Sequence, residues 1–164
     1  MNKKSPAGLY IHVPFCAQKC RYCDFYSFPK GDEYFEIYKN RVIEAIEFYT
    51  KRYARCYNSL YFGGGTPSYY GEKRLRELLS CIKKHYNVES AAEITMEANP
   101  DSVDLKSLRK VRKAGVNRIS MGMQSACDGE LQCIHRPHTF QQVVDAVAAA
   151  RKAKIKNLNL DLIY

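Results

Sequence analysis

The chain has 164 residues, of which 46% are hydrophobic and 26% charged, and its formal net charge is +9. These values are ordinary for a globular domain with a core, and no apolar run approaches the length of about 18 residues that predicts a membrane span. The N-terminal residues lack the sustained apolar segment and the cleavage site of a secretory signal, so we expect a cytoplasmic protein.

Strands and helices are predicted to alternate along the chain. The expected strands are GLYIHV (8–13), SLYF (59–62), EITMEA (93–98), NRISMGM (117–123) and NLNLDLIY (157–164). The expected helices run from an N-cap at Asp32 to about Arg52, from Glu72 to His85, over 104–115 ending at Gly115, and over 139–154 with Thr139 as its cap, while 127–138 is irregular. Such alternation favours a parallel sheet covered by helices, because parallel strands need crossover connections. The chain ends on an apolar strand, so we expect it to be part of a longer polypeptide.

Three of the seven cysteines, Cys16, Cys20 and Cys23, stand in one loop directly after the first expected strand. An odd number of cysteines, three of them clustered, fits reduced thiols that hold a metal better than it fits a disulfide framework. The spacing C-x3-C-x2-C lets one loop reach three corners of a [4Fe-4S] cubane and leaves the fourth iron open. Zinc sites more often use two separated C-x2-C pairs. His12 is a conceivable fourth ligand, but strand alternation should aim its side chain away from the loop.

The remaining cysteines and histidines carry weaker expectations. Cys56, Cys81, Cys127 and Cys133 are expected to be small buried or half-buried side chains. His135 and His138 are expected to be surface hydrogen-bonding residues.

The polar motifs follow the strands. The cysteine loop, GGGTPS, 97–99 and Gln124 each come at or after the end of an expected strand. Ligands of parallel α/β folds bind at the carboxyl ends of the strands, so these motifs should converge on one face of the sheet.

Six sequence blocks carry a family resemblance that covers nearly the whole chain. YIHVPFCAQKCRYCDF, YFGGGTPS, MEANPDS, SMGMQS, HRPH and NLDLIY together resemble the oxygen-independent coproporphyrinogen III oxidase family of the radical S-adenosylmethionine (SAM) superfamily. The resemblance implies a partial (β/α)6 TIM-like barrel with five units present, so that 1–164 form a radical SAM core domain that is incomplete at its C-terminus.

The resemblance has one departure. In the oxidases a fourth cysteine lies two positions after the third, where this chain has Phe25. The CDF ending is similar to the HemW branch of haem chaperones. The resemblance therefore implies a HemW-like protein that delivers haem to acceptor proteins, with oxidative decarboxylation of coproporphyrinogen III to protoporphyrinogen IX as the alternative. Whether the protein is an enzyme stays open.

The resemblance also implies cofactors and site residues. The three loop cysteines would hold the cluster, SAM would bind its open iron, and haem would be a further ligand. Gly64 and Gly65 match the glycine motif that meets the methionyl amino group of SAM, and Thr66 adds a hydroxyl. Cofactor contacts are further implied for Tyr10, Tyr22, Glu97, Gln124, Arg136 and Asp161.

The implied partners are haem or porphyrin, a haem-acceptor protein and a reductant such as flavodoxin or ferredoxin. The net charge of +9 would also suit a polyanion, so an RNA-modifying radical SAM protein is an alternative from another class. Most basic residues fall on expected helix surfaces, however, and no aromatic and basic platform for stacking bases stands out, which disfavours nucleic acid.

Overall fold

Strands and helices alternate in the computed structural model, which describes residues 6–53 and 55–164. The strands are β1 (Ala7–Val13), β2 (Phe15–Cys16), β3 (Phe28–Pro29), β4 (Cys56–Gly64), β5 (Asn87–Ala98), β6 (Arg118–Gln124) and β7 (Asn157–Leu162). The α-helices are α1 (Phe35–Thr50), α2 (Pro67–Tyr70), α3 (Glu72–His85), α4 (Leu105–Ala114), α5 (Asp128–Cys133) and α6 (Phe140–Lys152).

Five strands form one sheet in the order β1-β4-β5-β6-β7, and every neighbouring pair is parallel. Consecutive long strands are therefore neighbours, and helices connect them across the sheet. Because all five strands point the same way, their carboxyl ends meet at one edge, as the sequence predicts. β2 and β3 form a separate two-stranded pair within the segment that follows β1.

The core lies between the sheet and its helices. The apolar stripe of α3 is fully turned inward, since Leu75, Leu78, Leu79 and Ile82 are all buried. It packs in one cluster with sheet residues such as Phe62. Burying each such side chain contributes about 1.5–3 kcal/mol relative to leaving it exposed, so this stripe fixes the face on which α3 crosses the sheet.

The helix ends follow the expected sequence signals in two places. Thr139 caps α6, because its side chain accepts a hydrogen bond from the Gln142 amide while the Gln142 side chain accepts from the Thr139 amide. Gly115 ends α4 with a φ of 125°, a conformation that glycine adopts without strain.

The prediction for the start of α1 was wrong. Asp32 begins a 3-10 turn (Asp32–Tyr34) and α1 starts only at Phe35, with no side-chain cap. The Asp32 carboxylate instead accepts a hydrogen bond from the Tyr69 hydroxyl at 2.8 Å. The Asp32 side chain therefore makes a tertiary hydrogen bond and does not cap the helix.

Other predictions also need correction. The segment 127–138, expected to be irregular, contains the short helix α5, and β5 starts six residues earlier than expected, at Asn87. Cys127 and Cys133 are exposed, whereas Cys56 and Cys81 are half-buried as expected. His138 was expected at the surface but is buried. Its Nε2 lies 3.0 Å from the Met123 carbonyl oxygen.

A search of the described helices found none with the length and apolar character needed to cross a membrane.

Candidate cofactor site

A cavity of about 400 Å³ opens at the carboxyl edge of the sheet. Eleven of the twelve residues that the sequence predicts as site residues line it: Cys16, Cys20, Tyr22, Cys23, Gly64, Gly65, Thr66, Glu97, Gln124, Arg136 and Asp161. Its volume lies in the range of small-molecule sites. The convergence expected from the strand ends is thus present.

The cysteine loop is held at both ends by backbone pairing. β2 and β3 bring the start and the end of the loop together, with the Phe28 amide donating to the Pro14 carbonyl and the Lys30 amide to the Cys16 carbonyl, both at 2.7 Å. Within the loop, the Lys19 ammonium donates to the Phe25 carbonyl at 2.6 Å. These bonds close the loop over the cavity.

The thiols of Cys16, Cys20 and Cys23 are free and half-buried. The Thr66 hydroxyl lies 3.5 Å from the Cys16 sulfur, and the Arg136 guanidinium lies 3.6 Å from the Cys20 sulfur. All three cysteines line the same cavity, so their thiols are available to one ligand.

The glycine run packs against the start of the cysteine loop. The Gly65 amide donates to the Val13 carbonyl and the Thr66 amide to the Phe15 carbonyl, both at 2.7 Å. A Cβ on Gly65 would lie 2.7 Å from the Phe15 carbonyl oxygen, a contact that backbone atoms cannot relieve. Gly65 is therefore required by the fold itself, independently of any ligand.

Glu97 lies at the cavity wall near the end of β5. Its two carboxylate oxygens accept hydrogen bonds from the Tyr61 hydroxyl at 2.7 Å and from the Gly64 amide at 2.9 Å. Burial raises the pKa of Glu97, and the two hydrogen bonds oppose that rise because they stabilise the charged form. The carboxylate is thus partly desolvated and fixed in position.

Arg136 crosses the cavity wall between two strand ends. Its Nη2 donates to the Asn99 side-chain oxygen and to the Gly122 carbonyl, both at 2.7 Å. Its Nε is buried and has no hydrogen-bond partner among the described residues. The two bonds from Nη2 hold the positive charge of the guanidinium at the cavity wall.

The far wall is formed by β6 and β7. The Asp161 carboxylate accepts from Asn159 at 2.6 Å and lies 3.5 Å from the Ser120 hydroxyl. The register between β6 and β7 shifts between Gly122 and Gln124, and Gln124 has a φ of 67°. Such irregularities at a strand end redirect a side chain, here that of Gln124, which lines the cavity.

Two aromatic residues predicted for the site lie in different places. Tyr22 lines the cavity, and burial raises its pKa to about 12. Tyr10 does not line it. The Tyr10 hydroxyl lies 3.0 Å from Nδ1 of His12, whose Nε2 lies 2.7 Å from the Tyr26 carbonyl oxygen. The expectation that His12 points away from the cysteine loop was therefore wrong, because its ring contacts the end of that loop.

Comparison with known proteins agrees with this arrangement of cysteine loop, glycine run and strand ends. The family model of the Radical SAM superfamily matches residues 10–164. The chain belongs to the radical SAM superfamily.

The radical SAM chain is similar over its whole length to curated proteins named heme chaperone HemW. It is 38% identical to the protein of Haemophilus influenzae and 36% identical to that of Escherichia coli, in both cases over 100% of this chain and 44% of the relative. It is also 34% identical, over 96% of this chain and 36% of the relative, to the bovine mitochondrial radical S-adenosyl methionine domain-containing protein 1. The chain thus spans less than half the length of these relatives.

Solved structures confirm the predicted fold class. The fold matches coproporphyrinogen III oxidase HemN from Escherichia coli, a radical SAM enzyme, with a TM-score of 0.91 and 27% identity over 97% of this chain and 37% of that one. It also matches anSMEcpe with bound AdoMet, with a TM-score of 0.67 and 18% identity over 94% and 43% of the two chains. At that identity, the second likeness shows the fold alone.

Sequence reasoning assigned no individual role to several residues that line the cavity, among them Lys19, Tyr61, Asn99 and Ser120. Asn99 was expected at this edge only as part of the stretch 97–99. Tyr61 stands two residues before the glycine run on the same strand, so the two-residue alternation of β4 could have placed it on the same face as Gly63.

Replacing Tyr61 tests the electrostatics of this wall. We expect Tyr61→Phe to raise the pKa of Glu97 further, because the variant lacks the hydroxyl that stabilises the carboxylate. A carboxyl whose pKa is raised by folding stabilises the fold at low pH and loses that contribution as the pH rises through its folded-state pKa. The free energy of unfolding of the variant should therefore continue to fall up to a higher pH than that of the parent protein. Carboxyl carbon NMR titration of the cluster-free protein, with Glu97→Gln for assignment, measures this pKa.

Tyr57→Phe is the matched control, since Tyr57 lies on the same strand but donates to the Tyr53 carbonyl. It should leave the Glu97 titration unchanged. An unchanged pKa in Tyr61→Phe would contradict the described hydrogen bond.

Proposed function

We propose that the chain holds a [4Fe-4S] cluster through Cys16, Cys20 and Cys23, binds SAM beside it, and acts within a HemW-like haem chaperone. Three free thiols on one cavity wall supply three of the four ligands that such a cluster takes. In the superfamily the reduced cluster supplies an electron that cleaves a C–S bond of bound SAM.

The charges of the cavity suit the two ends of SAM. On one side, Asn99 and the Gly122 carbonyl position the Arg136 guanidinium in the cavity lining, where its positive charge would suit the carboxylate of SAM. On the other side, Glu97 and Asp161 offer acceptors to an ammonium group or to ribose hydroxyls. The other cationic side chain of the lining, Lys19, already donates to Phe25 and Ser27, which leaves Arg136 as the cation for the ligand.

The remaining assignments follow from the resemblance and stay part of the proposal. Gly64, Gly65 and Thr66 would meet the methionyl part of SAM, and Tyr22 and Gln124 would contact the cofactors from either side. Tyr10 would act indirectly, since it contacts His12 rather than the cavity.

The chaperone assignment depends on Phe25. This residue lines the cavity, is 67% exposed and stands where the oxidases are expected to have a fourth cysteine. An apolar ring there cannot replace a thiolate, but it can pack against a flat apolar ligand such as a porphyrin. The HemW relatives are named heme chaperones, which supports the same function.

Coproporphyrinogen oxidation is the second candidate. The TM-score of 0.91 to HemN supports it, because that protein is a coproporphyrinogen III oxidase. Both candidates share the cluster and SAM and differ in what happens to the porphyrin.

The partners and location are proposed with the function. A haem-acceptor protein would receive the haem, and a flavodoxin or ferredoxin would reduce the cluster. Cytoplasmic location is proposed because the thiols must stay reduced. We further propose that 1–164 form the first part of a longer barrel, as the coverage of the relatives and the exposed Leu160 and Leu162 of β7 support.

Arg136→Gln is expected to weaken SAM binding about tenfold to a hundredfold, because a hydrogen bond to a charged group contributes about 1.5–3 kcal/mol. Arg136→Lys should bind SAM with intermediate affinity, since it keeps the charge without the planar fork. Anaerobic calorimetry of the cluster-loaded protein measures the affinity.

Iron content should stay at the level of the parent protein in Arg136→Gln, whereas its melting temperature should fall because the bonds to Asn99 and Gly122 are lost. Arg112→Gln, an exposed arginine of α4, is the matched control and should bind SAM like the parent protein. Equal SAM affinity in Arg136→Gln and Arg112→Gln would contradict the role assigned to Arg136.

The chaperone and oxidase functions are separated by two anaerobic assays on the cluster-loaded protein. We expect stoichiometric haem binding and no protoporphyrinogen IX from coproporphyrinogen III in the presence of SAM and a reductant. Phe25→Ala should weaken haem binding, while Phe48→Ala, an equally exposed aromatic on α1, should not. Turnover of coproporphyrinogen III would instead establish the oxidase.

A further inference from the structure

A second group of metal-ligating side chains lies on the outer helices, away from the cysteine loop. It consists of Glu47 on α1 and Cys81 and His85 on α3. One ligand atom from each residue lies within 4.8 Å of the other two. Within the described chain, this is the only such triad of histidine, cysteine and carboxylate ligands.

The packing of the two helices explains why these side chains meet. Cys81 and His85 are four residues apart on α3, so they lie on one face, one helical turn apart. Tyr86, just beyond α3, donates to the Ile46 carbonyl, and Thr50 donates to the His85 carbonyl, which fixes this end of α3 against α1. Glu47 is thereby held over the same face.

The His85 ring has a nitrogen without a hydrogen-bond partner among the residues described. Nε2 of His85 lies 3.5 Å from Oε1 of Glu47, but the two atoms do not form a hydrogen bond. That nitrogen is shielded from solvent and has no other partner among the residues described. A buried ring nitrogen without a partner is uncommon and marks a place where an ion or a water molecule can bind.

We propose that Glu47, Cys81 and His85 bind a divalent cation of the zinc class. Zinc takes thiolate, imidazole and carboxylate ligands at about 2.0–2.3 Å, so its ligand atoms lie about 3.3–3.8 Å apart. The separation of 3.5 Å between His85 and Glu47 already falls in that range. Glu47 is exposed, so the fourth position is open to water.

The surrounding charges favour a cation. His85 is the last residue of α3, where the helix dipole presents negative charge. Burial and the Glu47 carboxylate both raise the pKa of the Cys81 thiol, while the Lys84 ammonium opposes them.

The ion would join α1 to α3 on the outside of the barrel. Because it binds only the folded arrangement of the two helices, it should raise the melting temperature, and the rise should grow with the logarithm of the ion concentration divided by its Kd. The role is structural and does not depend on the cluster or on SAM.

Cobalt binding tests the site with the loop thiols removed. In the full chain carrying Cys16→Ser, Cys20→Ser and Cys23→Ser, we expect one Co²⁺ with a thiolate charge-transfer band in the near ultraviolet. Adding Cys81→Ser should abolish the band. His85→Ala and Glu47→Gln should each lower the affinity for Co²⁺ at least about tenfold.

Cys56→Ser is the matched control, since Cys56 is a half-buried cysteine whose sulfur lies 3.3 Å from a glutamate, Glu89, outside the triad. It should keep the band. A band that survives Cys81→Ser, or no bound cobalt in the parent of this series, would overturn the proposal and leave Glu47 and His85 as an ion pair.

Zinc X-ray absorption on the otherwise unmodified protein, with its iron cluster in place, gives a second measurement that needs no loop substitution. One sulfur and two or three nitrogen or oxygen neighbours are expected around the zinc. Two or three sulfur neighbours would place the zinc on the cysteine loop and contradict the proposed site.

Discussion

The cavity depends on backbone pairing that continues past the ends of β1 and β4. The Gly65 amide bonds to Val13 and the Thr66 amide to Phe15, each at 2.7 Å, so the glycine run and the cysteine loop leave the sheet together. This approach is possible only because Gly65 lacks a Cβ, which would otherwise lie 2.7 Å from the Phe15 carbonyl oxygen. The position of Cys16 relative to the rest of the cavity follows from it, since Thr66 also contacts the Cys16 sulfur.

The sequence predicts the long strands, the order of the helices and the convergence of polar motifs, because hydrophobic periodicity and strand direction are local properties. It fails where a distant residue decides the outcome. Asp32 was expected to cap a helix, but it accepts a hydrogen bond from Tyr69. His12 was expected to point away from the cysteine loop, but it contacts the carbonyl of Tyr26. Strand alternation predicts the face on which the His12 side chain lies. It does not predict the path of the cysteine loop, whose end contacts that side chain.

The candidate site shows the same division between local and distant information. The cysteine loop and the family resemblance identify eleven lining residues, whereas the orientation of Arg136 depends on Asn99, just after β5, and on Gly122, near the end of β6. The half-buried Glu97 carboxylate and the Arg136 guanidinium give the cavity lining groups of opposite charge. That polarity suits a zwitterionic ligand better than a simple anion. The excess of basic residues elsewhere is partly neutralised by pairs between neighbouring helices, such as Lys110 with Glu72.

The central claim is that three thiols hold a four-iron cluster and leave one iron open to SAM. Mössbauer spectroscopy of anaerobically reconstituted, iron-enriched protein, recorded with and without SAM, tests this claim most directly. About four irons and four sulfides per chain are predicted, and SAM should change the signal of one iron while the other three stay as they were. Zinc in place of iron, an absence of inorganic sulfide, or four iron signals that do not respond to SAM would contradict the claim.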